Sequence, residues 1–329
     1  MLRRDHFQSS ENKKTMKSKL KEIYQNVVVA ILWCLCYLIA ILPRCVRYGV
    51  LTPFVAFILR SVAHYRYAVI NKQLHDSFPE KSEAEIDELS RRYYRHLAEM
   101  IIETLSLAGM NDKRRREITE FDLPEEFHEQ IEGHNFIAMS SHYGFWEAAL
   151  NIYLATPNHY FVVAYRPLSN RIMDKLLRRM RNTPSADVVP SKQLMRHFIA
   201  NRHGINGKNL VVGLIADQNC PPTKGCCWHR FLNHDSLFFD GGEQLALKFG
   251  LPIFYVELER IEAGRYRHIY TQIYDGHEEV KPHEITERYV RCLERTILAK
   301  PEYWMWSHRR WKSRPYAGAK FYDNYKTIE

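Results

Sequence analysis

A histidine with a glutamate five residues on, His142 and Glu147, is the first place where residue types and spacing suit chemistry. The segment reads Ser140-Ser-His-Tyr-Gly-Phe-Trp-Glu147, and an apolar run from Asn135 to Ser141 leads into it. That run reads as a buried strand, with a helix expected just beyond the histidine. A neutral imidazole at such a junction is suited to take a proton as a general base. Glu147 lies about one and a third helical turns further along. It is expected to turn back to the second ring nitrogen, fix the tautomer and stabilise the imidazolium, as an acid does behind a histidine base. Gly144 is expected to leave room for a substrate close to the backbone. The spacing alone is weak, because a histidine bonded at a strand end beside a solvated glutamate gives the same pattern.

A second constellation is Cys220, Cys226, Cys227, His229 and His234. Tetrahedral zinc sites favour C-x2-4-C and H-x3-5-H pairs. The two histidines fit, but Cys220 and Cys226 stand too far apart and Cys226 and Cys227 are adjacent. A packed loop of small apolar thiols is the better reading, and no metal is expected. The seven cysteines are odd in number and irregularly spaced, so no disulfide framework is expected and the bulk of the chain is expected to face a reducing compartment.

The elements that must position these residues follow from periodicity. Apolar stretches at Asn135–Ser141, Tyr160–Ala164, Asn209–Ala216 and Pro252–Leu258 read as strands. Helical patterns lie between and around them at Ala148–Leu154, Arg171–Arg181, Gly241–Phe249 and Thr286–Leu298. Upstream, Ser82 to Ala108 is helical, opened by a capping box of Ser82 and Glu85, and Asn111 to Arg116 reads as a basic break. The alternation predicts an α/β fold, a mixed central sheet flanked by helices. In such sheets ligands gather at the carboxyl ends of strands, and two of those ends carry unusual polar residues, His142 and Asp217.

The amino terminus differs in character. Residues 1–26 are polar and basic, and Val27 to Leu42 then run without a charge or a glycine up to Pro43 and Arg44. A second apolar stretch, Val50 to Leu59, is broken by Pro53. A hydrophobic anchor helix is expected rather than a cleaved signal, because no small-x-small site follows. Basic residues on both flanks leave its orientation open, and the reduced-looking cysteines favour a cytoplasmic globular part. The expected division is a basic segment and anchor over 1–60 and one α/β domain over 61–329. With 329 residues, 46% of them hydrophobic, the chain can bury a substantial core and is not mainly disordered. Its net charge of +9 favours an acidic partner. No nucleic-acid module is recognisable, so an acidic protein or an anionic membrane surface is expected instead.

His142-Tyr-Gly-Phe-Trp-Glu147 resembles the H-x-G-x-W-E block of the bacterial lipid A biosynthesis (late) acyltransferase family, within the H-x4-D/E glycerolipid acyltransferases. Tyr165-Arg-Pro-Leu-Ser-Asn170 with Leu176-Leu-Arg-Arg-Met-Arg181 resembles its second block, and Asp217-Gln218 its third. Pro301-Glu-Tyr-Trp-Met-Trp-Ser-His-Arg-Arg-Trp-Lys312 resembles its closing block. The loop after Gln218 departs from the glycine-rich pattern, which bears on acceptor and acyl-chain identity rather than on the reaction class. The resemblance implies transfer of a fatty acyl chain from a thioester, carried by acyl carrier protein, to a hydroxyl of a lipid A precursor. The alternative acceptor is an aminolipid or lysophospholipid. It further implies His142 and Glu147 as the catalytic pair, Arg166, Arg181 and Asp217 as substrate-binding residues, no cofactor, and the cytoplasmic side of the inner membrane. Arg181 or a backbone N–H near Gly144 is the implied donor to the oxyanion. Arg166 and Arg181 carry guanidinium forks suited to phosphates.

Overall fold

Apolar segments too short and too alternating to be helices pair into one seven-stranded sheet in the computed structural model, which describes residues 2–181, 183, 185–222 and 227–324. The strands are β1 (Thr119–Asp122), β2 (Phe136–Ser140), β3 (His159–Tyr165), β4 (Ala186–Pro190), β5 (Asn209–Ile215), β8 (Ile253–Glu262) and β9 (Arg265–Tyr274), in the order β1-β9-β8-β2-β5-β3-β4. β8, β2, β5, β3 and β4 are mutually parallel, whereas β9 pairs antiparallel with β8 and carries β1 with it. A separate antiparallel hairpin, β6 (Trp228–Phe231) and β7 (His234–Leu237), turns through Leu232 and Asn233, both at positive φ.

Successive side chains of a strand point to opposite faces, and both faces are covered. Ile137 and Met139 of β2, with Leu210, Val212 and Leu214 of β5, pack into the larger core. Phe136, Ala138 and Val211 enter a second core with Phe127, Phe161, Phe254 and Val256. The mixed, helix-flanked sheet is the expected class. β9 lies outside the expected strands, because Arg265-Tyr-Arg-His-Ile-Tyr-Thr-Gln-Ile-Tyr274 mixes buried and half-buried positions rather than running apolar. β1 and β4, four and five residues long, lie at the two sheet edges. The basic stretch read as a break is a short helix, Asp112–Ile118, because the Asn111 side chain accepts from the Arg114 N–H and caps it.

The expected capping box at Ser82 is present, opening the helix Glu83–Ser106. The amino-terminal helix runs from Leu2 to Ile41. Its apolar part, Lys19–Ile41, and a second helical stretch, Arg44–Val62, are each long and apolar enough to cross a membrane by length and composition. The second continues through Pro53 because the proline falls in the first turn of an α-helical segment that follows a π-helical turn. Its Val50, Phe54, Phe57 and Val62 are exposed. The first helix buries Val29, Cys36 and Ala40 against the body of the protein. The helix Arg171–Arg181 docks there too: the Arg179 guanidinium lies 4.1 Å over the Trp33 ring, and Lys175 Nζ donates to Asn26 Oδ1 at 2.9 Å. Part of that basic face is therefore covered.

Candidate active site

Strand register brings the central pair together. β2 and β5 are parallel neighbours with Ser140 opposite Ile215. His142 and Asp217 each lie two residues past that pair, so they emerge side by side at the carboxyl edge of the sheet, one strand spacing apart. The Tyr289 hydroxyl donates to the Ser140 carbonyl at 2.8 Å and fixes the strand end just before the histidine.

His142 Nδ1 lies 2.7 Å from Asp217 Oδ1, and the His142 backbone N–H donates to Asp217 Oδ2 at 2.9 Å. Trp304 Nε1–H donates to the same Oδ2 at 2.8 Å. An ionised carboxylate only accepts, so Nδ1 carries a proton and donates it to Asp217. The Gln218 side-chain nitrogen stands 3.1 Å from Nε2 and donates to it. Asp217 is 2% exposed. Burial pushes its carboxyl upward, but the adjacent His142 ring and the bonds from His142 and Trp304 outweigh that and hold it below the usual carboxylate range. The His142 side chain keeps 17% of its surface exposed and stands edge-on to Trp146.

Glu147 does not stand behind His142. Both its oxygens are taken by the Arg181 fork, Nε to Oε2 at 2.8 Å and Nη2 to Oε1 at 2.5 Å. Among the described residues no hydrogen bond joins Glu147 to the imidazole. The expected turn-back fails for a local reason. The chain turns left-handed at Gly144, φ +58°, before a 3-10 helix, Trp146–Leu154, takes Glu147 into its first turn. Gly144 likewise makes no room for substrate: a Cβ there would meet the Leu258 carbonyl oxygen at 2.3 Å. Its N–H is spent on the Tyr303 carbonyl at 3.0 Å, so it is no oxyanion donor. Asp217, expected against substrate, is instead buried behind the histidine. Arg166 is exposed just past the end of β3; since Val163 pairs with Gly213, it stands level with Ala216, on the strand beside Asp217.

The closing block forms a strap over this edge. The Met305 N–H donates to the His142 carbonyl, and Tyr143 pairs with Trp304. Residues 12–313 match the bacterial lipid A biosynthesis acyltransferase family. The chain belongs to this family. The protein is thus an acyltransferase of lipid A biosynthesis, and all four blocks read from the sequence lie within the matched residues. No curated protein matches the chain.

In this acyltransferase the cysteine–histidine constellation is dispersed. His229 Nδ1 bonds Glu287 at 2.6 Å, while the His234 ring stacks on Trp311 at 3.9 Å. Cys226 lies outside the described residues. Among the described residues no three ligating side chains gather to hold a metal. Trp304 and Gln218 were named in the sequence only as parts of blocks; their contacts to Asp217 and His142 cross 87 and 76 positions, which no local spacing announces.

Proposed function

We propose that the protein transfers a fatty acyl group from a thioester on acyl carrier protein to a hydroxyl of a lipid A precursor at the cytoplasmic face of the bacterial inner membrane. One observation carries the chemistry: an imidazole with Nδ1 bound to a buried carboxylate and Nε2 turned away from it. Nε2 removes the proton from the acceptor hydroxyl, and the freed oxygen attacks the thioester carbonyl. The tetrahedral adduct expels the carrier thiolate, which takes the proton back from the imidazolium. Asp217 stabilises that imidazolium and fixes its tautomer, so it is a positioning residue. The two apolar helices support membrane attachment, and the exposed Arg171 and Arg178 offer a surface for an acidic carrier or anionic headgroups.

The test is mass spectrometry of cell lipids with the gene deleted and then restored as wild type or as His142→Ala. Loss of one acyl chain from lipid A, regained only with the wild type, is expected. A change confined to an aminolipid or lysophospholipid would move the acceptor to that class and overturn the lipid A reading.

A further inference from the structure

The apolar run Lys19–Ile41 is long enough to cross a bilayer, yet the body of the protein holds it along its length. Lys175 Nζ donates to Asn26 Oδ1, the Arg179 guanidinium lies over the Trp33 ring, and Arg114 Nη1 donates to the Ala40 carbonyl at 3.3 Å. Gln25, Val29, Cys36 and Ala40 are buried on that side. Asn26 to Ala40 covers about 21 Å at 1.5 Å per residue. The hydrocarbon core of a bilayer is roughly 30 Å thick. A crossing in this pose would carry Lys175, Arg179 and Arg114 into it, with the elements that bear them, and charge at that depth is costly.

The opposite side of the same helix is bare. Leu20, Tyr24, Val27, Ile31, Leu35 and Leu38 recur at steps of three and four residues, and each is more than half exposed. At 3.6 residues per turn they form one stripe, facing away from Val29 and Cys36. The stretch Arg44–Val62 repeats the arrangement. It is tied near both ends to the helix Glu83–Ser106: Arg47 Nη1 donates to Ser106 Oγ at 3.3 Å, the Tyr48 hydroxyl to Glu103 at 3.3 Å, and Arg60 Nη2 to Asp87 at 2.5 Å. Glu88, Arg91 and Arg95 of that helix are exposed, so it stays in water. Val50, Phe54, Phe57 and Val62 are left uncovered.

The charges agree with the stripes. Lys13, Lys14, Lys17, Lys19 and Lys21 precede the first run with no acid between them. Basic flanks stay on the cytoplasmic side, and clustered lysines are drawn to anionic headgroups. A helix with one apolar face and one face already engaged lies in the interface plane. We propose that the protein is monotopic: both apolar helices lie in the cytoplasmic leaflet of an anionic bilayer with their exposed stripes among the acyl chains, and neither helix crosses. The inference rests on the membrane attachment of the proposed function, not on which lipid accepts the acyl chain. It also places the base. Four residues past Val62, in a turn where His64 and Arg66 both have positive φ, Arg66 Nη1 donates to the Ser307 carbonyl at 2.8 Å. Met305, two residues earlier, is bonded to His142, so the strap over the base is joined to the leaflet-bound helix.

The test has two arms, both on the full chain. In bacterial spheroplasts, a membrane-impermeant maleimide is applied to the wild type, whose Cys45 is exposed at the junction of the two helices, and to Ser10→Cys. Peptide mass spectrometry reads which position is labelled. Neither is expected to react until detergent opens the membrane. Labelling at position 10 from outside would make the first helix a span. Labelling at Cys45 would make the pair a hairpin that crosses and returns, and either result overturns the proposal. In the second arm the protein is diluted from detergent onto vesicles of phosphatidylethanolamine and phosphatidylglycerol. Ile31→Ser with Leu35→Ser, and Phe54→Ser with Phe57→Ser, should each lower partition by about tenfold or more. Leu298→Ser, exposed elsewhere on the surface, should not. Unchanged melting midpoints certify the folds; should a pair's midpoint fall, Leu38→Ser or Val50→Ser takes its place on the same stripe. Partition no weaker than that of Leu298→Ser also overturns the proposal. The outcomes separate from those of the lipid analysis. A protein labelled from outside that still restores lipid A loses only its in-plane pose, whereas an unchanged lipid A leaves the pose and moves the acceptor.

Discussion

The chain after β2 carries two acid–base pairs of opposite build. Asp217 faces a histidine and receives all of its bonds from His142 and Trp304, while the imidazole keeps one nitrogen turned elsewhere. Glu147 faces an arginine, and both of its oxygens are closed by the fork. An imidazole gains and loses protons near neutral pH, but a guanidinium does not. The first pair can therefore stabilise a base as it becomes charged. The second cannot pass a proton; it fixes the helix Arg171–Arg181 to the 3-10 turn beside the base as a mutually neutralised ion pair. Two carboxylates near one histidine thus divide into a positioning acid and a clamp, and the partner decides which is which.

Removing the base should have the largest effect. His142→Ala is expected to lower kcat by about 10²–10⁴, and Asp217→Asn by a comparable factor, since the amide can present its N–H to Nδ1 and favour the wrong tautomer. Circular dichroism should show His142→Ala folded. Near-normal turnover in Asp217→Asn would collapse the distinction between the pairs. The depressed Asp217 pKa adds a sign. Its contribution to stability is full above the unfolded carboxylate value of about 3.9 and is lost as pH falls through the lower folded value. Denaturant titrations should show the wild type's advantage over Asp217→Asn level down to about pH 4 and shrinking below it.

The clamp should fail differently. Glu147→Gln leaves a largely buried guanidinium without its counter-charge, costing on the order of 3 kcal/mol of stability. Arg181→Lys keeps the charge but loses the fork and should cost about half as much. The double change Glu147→Gln with Arg181→Gln is expected to be less destabilised than the sum of the single ones, because neither partner is left alone. Activity should fall with the folded fraction. A Glu147→Gln protein with a wild-type melting midpoint and a displaced pH–rate profile would return Glu147 to the imidazole.

The parts of this contrast differed in how far sequence exposed them. β2 and β5 are unbroken apolar runs, and His142 and Asp217 stood out as polar residues at their ends. That they touch depends on β5 being the neighbour of β2, although β3 and β4 lie between them in the chain. Strand order is set by packing across both cores, not by any local pattern. The His142–Glu147 spacing misled because it assumes a helix from His142 onward, whereas the left-handed turn at Gly144, where the Leu258 carbonyl leaves no space for a Cβ, redirects the chain. The Arg181 fork was visible as an arginine on an amphipathic helix, but its partner was not. The turn at His64 and Arg66 left no sequence signal, since positive φ at histidine and arginine runs against their usual preferences.

The smallest expected effect is also the sharpest test of how Asp217 is held. Trp304→Phe removes one donor from Oδ2 and keeps most of the aromatic packing against Phe231 and Trp306. The His142 N–H still serves that oxygen, so the carboxylate is not orphaned. A hydrogen bond to a charged group is worth about 1.5–3 kcal/mol, and the lower end applies where a second donor remains. Stability should drop by about that amount. Catalysis should fall by roughly tenfold, because a less restrained carboxylate orients the imidazole less well. The acid transition seen in the Asp217 comparison should move up, since one of the bonds holding that pKa down is gone. Trp146→Phe alters a ring that stands edge-on to His142 but gives no bond to Asp217, and should leave the acid transition where it is. If Trp304→Phe loses stability without moving that transition, the indole is packing alone, and Asp217 owes its low pKa to His142.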